Sequence, residues 1–386
     1  MAYLDHAAST PMRPEAVAAM LPFLSEIPAN PSGSHSASRA AKSALEDARE
    51  RVAANLGCAP AEIVFTGGGS ESDNLAVKGA AWAARDRGDA DGVVVSGIEH
   101  KAVLAAADRL ERDGMRVARV PATTGGVVDL DALAAALDDR TAVVSVMLVN
   151  NEVGTIQPLA DVADLVRERA PHAVLHTDAV QAPQWLDVAG AGAPASLVAL
   201  SGHKFGGPKG VGVLVVRAGT RLVPLVEGGG HEWGTRAGTQ NVAGVAAFAA
   251  ALETTVRQRP DELPRIRTLR DRLERALLDG IPDAVVNGDP AQRVAGLLHV
   301  AIPGLEAEAL LVALDCADVC AASGSACSSG AVDPSHVLVA MGLERERALS
   351  SVRFSLGWAS TDADVDHAVA VVPDVVARLR SNRFVA

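Results

Sequence analysis

Aromatic residues are scarce in this chain, with one tyrosine, four tryptophans and six phenylalanines among 386 residues. Its core therefore has to be built mainly from Ala, Val and Leu. Positive charge is also short: the formal net charge is -12, which argues against nucleic acid or an anionic membrane as the main partner. No apolar run reaches the roughly 18 to 20 residues that would span a bilayer. The start, Met1-Ala2-Tyr3-Leu4-Asp5-His6, has no basic region followed by an apolar stretch, so no signal peptide is expected and a cytoplasmic enzyme is the default. Four cysteines, Cys58, Cys316, Cys320 and Cys327, lack the paired C-x-x-C spacing of a zinc site, and no metal is expected. In a reducing compartment they are thiols.

What is present is a globular composition, 49% hydrophobic and 21% charged, on a chain long enough for one large domain and a smaller one. From Ile63 onward, apolar strand patterns alternate with helical ones: strands at 92–96, 116–120, 141–148, 173–177 and 196–200, helices at 101–113, 129–137 and 159–169. Near-continuous apolar strands separated by helices predict an α/β fold whose sheet is mostly parallel and covered on both faces. An Ala-rich helix over 240–257 reads as the bridge from a large domain, 13–257, to a small α+β domain of 258–386 that also takes in 1–12; its first helix is expected over 262–278.

Ligands of such sheets bind beyond the carboxyl ends of the strands, and polar residues collect there: His100, Asn150 and Asn151, Asp178 and Gln181, and Ser201 to Lys204. The stretch Ser201-Gly-His-Lys204-Phe-Gly-Gly-Pro-Lys-Gly210 lies between two apolar runs. A lysine desolvated there has a lowered pKa, and its neutral amine can condense with an aldehyde cofactor. Lys204 is accordingly read as the anchor of pyridoxal phosphate; the alternative is a solvated lysine on a surface turn. At Ile63-Val-Phe-Thr66, Gly67-Gly68-Gly69, Ser70-Glu-Ser-Asp73-Asn74, a strand passes through three glycines into a helix. The S-x-x-D spacing of Ser70 and Asp73 predicts a capping box with the helix starting at Ser70, and the glycines and helix dipole suit a phosphate. An ordinary Gly-rich turn is the competing reading. Taken together, Lys204 would anchor the cofactor, Asp178 would keep the pyridine nitrogen protonated, Gly69, Ser70, Ser201 and His203 would take the phosphate, and His100 would stack on the ring.

At this point the sequence resembles, over essentially its whole length, the NifS/IscS-type cysteine desulfurases, class V members of the fold type I pyridoxal-phosphate enzymes. The matching motifs are Tyr3-Leu-Asp5 with Ala8-Ser-Thr-Pro11, Thr66 to Asn74, Glu99-His-Lys-Ala-Val103, Val149-Asn-Asn-Glu-Val-Gly154, Ser201-Gly-His-Lys204 and Ser323-Gly-Ser-Ala-Cys327. The resemblance implies that Asn151 and Gln181 hydrogen-bond the cofactor, that Thr239 reaches the phosphate from the second subunit of a homodimer, and that His100 also shuttles protons. It implies that Asn151 and Arg353 bind the substrate, L-cysteine, with Arg353 clamping its carboxylate; the plainer reading of Arg353 is a structural ion pair.

Cys327 is the residue that selects the reaction. It lies in Ala321-Ala-Ser-Gly-Ser-Ala-Cys327-Ser-Ser-Gly330, where small residues permit a mobile loop whose thiol visits the cofactor and leaves carrying sulfur. The catalytic set is thus Lys204, Cys327 and His100, the product a persulfide on Cys327, and the partner a sulfur acceptor such as an iron-sulfur scaffold or a tRNA-thiolating enzyme. A selenocysteine lyase or another class V aminotransferase is the alternative. Cys320 and Cys58 are expected to be structural, and His35 has no assigned role. Departures from the family pattern are Leu148, Trp233 in place of Arg, Ala237 in place of Ser, and Ser70 in place of Thr.

Overall fold

The computed structural model describes residues 1–88, 90–324 and 333–382. Its strands, in chain order, are β1 (Ala2–Tyr3), β2 (Ile63–Thr66), β3 (Gly92–Ser96), β4 (Arg116–Val120), β5 (Thr141–Ser145), β6 (Val174–Asp178), β7 (Leu197–Ser201), β8 (Gly212–Val216), β9 (Val285–Val286), β10 (Leu297–Ala301), β11 (Val319–Cys320) and β12 (Ser351–Ser355). Seven of them form one sheet in the order β2-β8-β7-β6-β5-β3-β4. The pairs from β4 through β7 are all parallel, and β8 runs antiparallel to both β7 and β2.

Strand periodicity explains why this sheet is buried on both sides. In β3, Val93 and Val95 pack into one apolar cluster and Val94 into the other; in β7, Leu197 and Ala199 face one cluster while Val198 and Leu200 face its opposite. Helices α2 (Ser36–Leu56), α3 (Gly69–Arg87) and α4 (Lys101–Arg112) pack against the sheet's strands, and α1 (Pro14–Ser25) packs on the long helix 242–280. Small residues let α3 lie close: Ala76, Ala80, Ala81 and Ala84 are buried on it. This is where a core poor in aromatics becomes workable, because alanine lets backbones approach. His35, which had no assigned role, caps α2: its Nδ1 accepts from Ser38 N at 3.3 Å.

The two helices expected over 240–257 and 262–278 are one, Val242–Gly280, with Pro260 and Pro264 inside it. Each proline removes one backbone donor, but side chains pin the segment from outside. Arg13 donates to Gln258 Oε1 at 2.6 Å and to Glu262 Oε2 at 3.2 Å, and the Pro264 carbonyl accepts from Thr268 Oγ1 at 2.9 Å. The boundary expected at 257/258 lies within this helix. Beyond it, β12, β10 and β9 form an antiparallel sheet, and the N-terminal β1 pairs with β11. Asp5 bridges to Ser355, so the first residues are stitched to the C-terminal third of the chain. Cys320 sits in β11 as a half-buried thiol, as its apolar setting suggested.

Trp233 follows Glu232 in a turn where both have left-handed backbone, φ 54° and 46°. Its ring lies 4.6 Å from the Arg49 guanidinium, which Phe65 covers from another direction at 4.7 Å. Arg49 and Glu232 form a buried bidentate pair, 2.8 and 3.0 Å. Trp233 therefore shields its own chain's ion pair, leaving 57% of its surface exposed. Leu148 is core, 1% exposed.

Candidate active site

Five chain segments leave the sheet at one edge, and they converge on a cavity of about 590 Å³ lined by Gly69, Ser70, His100, Asn151, Asp178, Gln181, Ser201, His203, Lys204 and Arg353. The first is the β2–α3 junction. Helix α3 begins at Gly69 with Gly68 as its cap at φ 145°, and there is no side-chain cap. The capping box expected at Ser70 and Asp73 is therefore absent: the helix starts one residue earlier, and the Asp73 carboxyl turns inward to His176, 3.5 Å away. A Cβ on Gly69 would stand 2.8 Å from Val180 Cγ2 and 3.4 Å from Ser201 Cβ. Glycine lets the helix terminus close against β7, so its free first-turn N–H groups and the Ser70 and Ser201 hydroxyls share one rim, a cradle for an anion.

Asp178 ends β6, buried at 5% exposure, and its Oδ1 accepts from Val180 N at 2.9 Å. Burial, reinforced by the charge of Asp73, pushes its pKa up to about 6, so it is an anion at neutral pH. One turn after β7, Lys204 donates from Nζ to the carbonyls of Ala7 at 2.6 Å and Ala8 at 2.9 Å. Burial pulls its ammonium down to about 8, with the Arg353 charge adding to the effect. Gln181 Nε2 donates to the same Ala7 carbonyl at 2.8 Å. The N-terminal strap 5–9 thus holds both side chains in place. His203, lowered to about 4 by burial and next by Lys204, is neutral and meets an anion as a hydrogen-bond partner.

His100 caps α4, its Nδ1 accepting from Ala102 N at 3.1 Å. That bond puts the proton of the neutral ring on Nε2. Burial lowers its pKa against the opposing pull of Asp178, and the ring remains open to the cavity mouth. Arg353, on β12, donates from Nη1 to Asn151 O at 2.7 Å and from Nη2 to Asp5 Oδ1 at 2.8 Å, and its buried Nε has no partner among the described residues. It is both a member of an ion pair and a cavity wall. Asn150 is structural: its Oδ1 accepts from Glu152 N and Val153 N, and its Nδ2 donates to Ile98 O.

One of the expected site residues among the described ones does not line this cavity. Thr239 is exposed on the surface, and Cys327 lies outside the described residues. Among the lining groups to which the sequence assigned no place in the cavity are Asp5, Asp73, Glu152 and His336. Glu152 accepts from Ser335 Oγ at 2.5 Å, and His336 pairs with the Glu99 carbonyl at 2.8 Å. Asp5, Asp73 and Glu152 stand inside the very motifs quoted for the family, so their position was a signal; a role for each becomes legible only with the cavity.

A buried amine near neutrality, an opposing carboxylate and a glycine-walled anion cradle within one cavity are the donor set that pyridoxal phosphate requires, and the residues present fit it. The whole chain agrees. Residues 2–368 match the family model described as aminotransferase class-V. The chain belongs to the class-V aminotransferase family. Among class-V proteins it is 44% identical over 385 residues to the "IscS-like cysteine desulfurase" of Mycobacterium tuberculosis, covering 98% of this chain and 97% of that one. It is 41% identical to the "Cysteine desulfurase IscS" of Methanosarcina thermophila, with 98% and 93% covered. Among solved structures it is similar to a "NifS-like protein", with a TM-score of 0.91, 33% identity and 97% and 99% of the two chains covered. Class-V enzymes are pyridoxal-phosphate dependent, and this chain shares their α/β architecture and their cofactor.

Proposed function

We infer that this chain is a pyridoxal-phosphate-dependent cysteine desulfurase that takes sulfur from L-cysteine, releases L-alanine and holds the sulfur as a persulfide on Cys327. The observation that carries the reading is the convergence of Lys204, Asp178 and the Gly69–Ser70 helix terminus on one cavity that Arg353 also lines.

Pyridoxal phosphate, when bound, supplies an aldehyde that takes up the substrate's amino group and a ring that withdraws electrons from its Cα. Gly69, Ser70, Ser201 and His203 hold the phosphate, Asp178 holds a proton at the ring nitrogen by opposite charge, and Asn151 and Gln181 fix the ring's polar edge. Lys204 anchors the cofactor and, with an amine neutral above about pH 8, accepts the Cα proton at Nζ. Arg353 gives up its single bond to Asp5 for the substrate carboxylate, which its guanidinium can grip at both oxygens. His100 would lie against the cofactor ring, and its Nε2 would carry the proton that the alanine carbon takes up. The Cys327 thiolate then attacks the substrate sulfur, the carbon–sulfur bond breaks with its electron pair going to carbon, and a proton completes alanine. The balance is one thiol plus cysteine giving one persulfide plus alanine.

Thr239 reaches the phosphate of a second copy in a homodimer, for which its exposed position is suited. The sulfur passes from Cys327 to an acceptor, an iron-sulfur scaffold or a tRNA-thiolating enzyme. The test is a product assay on the purified holoenzyme with L-cysteine, L-selenocysteine and a 2-oxo acid supplied separately. The reading expects alanine and sulfide in equal amounts from L-cysteine under a reductant. Amino-group transfer to the 2-oxo acid without sulfide overturns it in favour of an aminotransferase, and turnover of L-selenocysteine alone makes the chain a selenocysteine lyase.

A further inference from the structure

Behind Asp178 lies a second carboxyl that the reaction as described does not use. Asp73 projects from the first turns of α3, is 1% exposed and lines the cofactor cavity. One of its carboxylate oxygens, one of Asp178 and a ring nitrogen of His100 all lie within 4.8 Å of one another. Two buried carboxyls this close disfavour a double negative charge, so one of the pair takes up a proton. The surroundings decide which takes it. Asp178 Oδ1 accepts a backbone N–H, which favours its charged form. Asp73 Oδ1 has no hydrogen-bond partner, and it faces His176 Nε2, itself fully buried and equally without a partner, across 3.5 Å.

An ion pair does not satisfy those two atoms. The His176 ring is held neutral by burial, its pKa lowered to about 4, while burial raises Asp73 to about 8. What satisfies both is one proton on Asp73 Oδ1, donated to His176 Nε2. The ring's own proton then sits on Nδ1, which lies 2.8 Å from Ser145 Oγ, and the Ser145 hydroxyl in turn bonds the buried carboxyl of Glu99. His176 and Asp178, two apart on β6, share one face of the sheet, so this chain of groups ends directly against Asp178.

We propose that Asp73 is a positioning residue for the desulfurase reaction: a neutral carboxylic acid that gives its proton to His176 and so leaves Asp178 the single negative charge facing the cofactor's ring nitrogen. The inference rests on the assignment of Asp178 to that nitrogen. The titratable groups that face Asp73 are His176 and Asp178 on β6, Glu99 and His100 after β3, and Lys204 across the cavity. Ionising Asp73 would set two anions against one ring nitrogen and bind its proton more tightly.

The test is infrared spectroscopy of the holoenzyme alongside its visible absorption. At neutral pH, Asp73→Asn minus parent should show the loss of one protonated carboxylic-acid carbonyl band. Asparagine keeps a donor toward His176 and adds no charge, so the cofactor's visible band should stay in place at neutral pH. In the parent, raising the pH through about 8 should remove the carboxylic-acid band and shift the visible absorption; the asparagine variant should show neither change. His176→Leu, which keeps Asp73 but removes its acceptor, should move the same infrared band toward that of an unbonded acid carbonyl. An unchanged infrared spectrum in Asp73→Asn, or a visible shift in that variant at neutral pH, overturns the proposal. Failure of the parent to release sulfide would instead overturn the functional reading, and the infrared band would still report on Asp73.

Discussion

Lys204 and Arg353 carry the most testable weight among single residues. Lys204→Ala should lose the visible absorption of the lysine-bound cofactor, and a band that survives borohydride reduction and washing would move the anchor elsewhere. Arg353 should act through binding: Arg353→Lys keeps the charge but gives up the two-pronged geometry, so KM for L-cysteine should rise about tenfold or more, a loss of roughly 1.5–3 kcal/mol, with kcat falling less. An equal fall in kcat with KM unchanged would show that Arg353 only props up Asp5. His299 tests burial itself. It is fully buried on β10, its Nδ1 3.0 Å from Asn287 Nδ2, and burial lowers its pKa to about 3. Its folded pKa is depressed below the unfolded value, so the unfolded chain takes up a proton that the folded one refuses between those two pH values. Stability is lost as pH falls from about 6.5 toward 3, at up to about 1.4 kcal/mol per pH unit from this one group. His299→Gln should flatten that part of the acid limb in denaturant titrations, and an unaltered limb would show that the ring is not shielded as described.

At the scale of elements, the β2–α3 junction decides whether an anion can be held. Gly69→Ala places a Cβ 2.8 Å from Val180 Cγ2; overpacking of this kind costs about 1–3 kcal/mol, and pyridoxal-phosphate affinity, read by absorbance titration of the apoenzyme, should fall about tenfold or more. Binding unaltered by the extra methyl would remove the helix terminus from the phosphate site. This junction also shows what was and was not legible in the sequence. The three glycines marked a place of close backbone approach, which Gly69 shows against Val180 and Ser201, because such approach is a local property. The S-x-x-D spacing misled, because Asp73 was read as a local cap when tertiary structure turns it toward β6. The two helices expected over 240–257 and 262–278 misled similarly: they are one helix that holds Pro260 and Pro264 inside it, pinned by Arg13 at Gln258 and Glu262.

Across the whole molecule, the alternation of apolar strands and helices made the parallel sheet and its ligand-binding edge readable, since burial on both faces leaves a direct hydrophobic signature. The reversed β8, which turns straight back on β7 and also carries β2 on its other side, was not readable, and neither was the pairing of β1 with β11, because it joins opposite ends of the chain. The same distance hid Asp5, which meets Arg353 only when the two ends of the chain come together. Trp233, a departure from the family pattern with no role legible in the sequence, lies on Arg49 of its own chain. The Arg49–Glu232 pair beneath it should matter accordingly: Glu232→Ala strands a buried guanidinium, for which a loss of about 3–5 kcal/mol is expected in denaturant unfolding, and a loss within the scatter of surface mutations would show that the pair is solvated. A desulfurase has to move sulfur from L-cysteine onto its own chain. The direct measurement is mass spectrometry of the peptide containing Cys327 after the holoenzyme meets L-cysteine without reductant, with alanine counted in the same sample. One added sulfur atom on Cys327 per alanine formed is the predicted result, abolished in Cys327→Ala; alanine and sulfide produced by Cys327→Ala as fast as by the parent would contradict it.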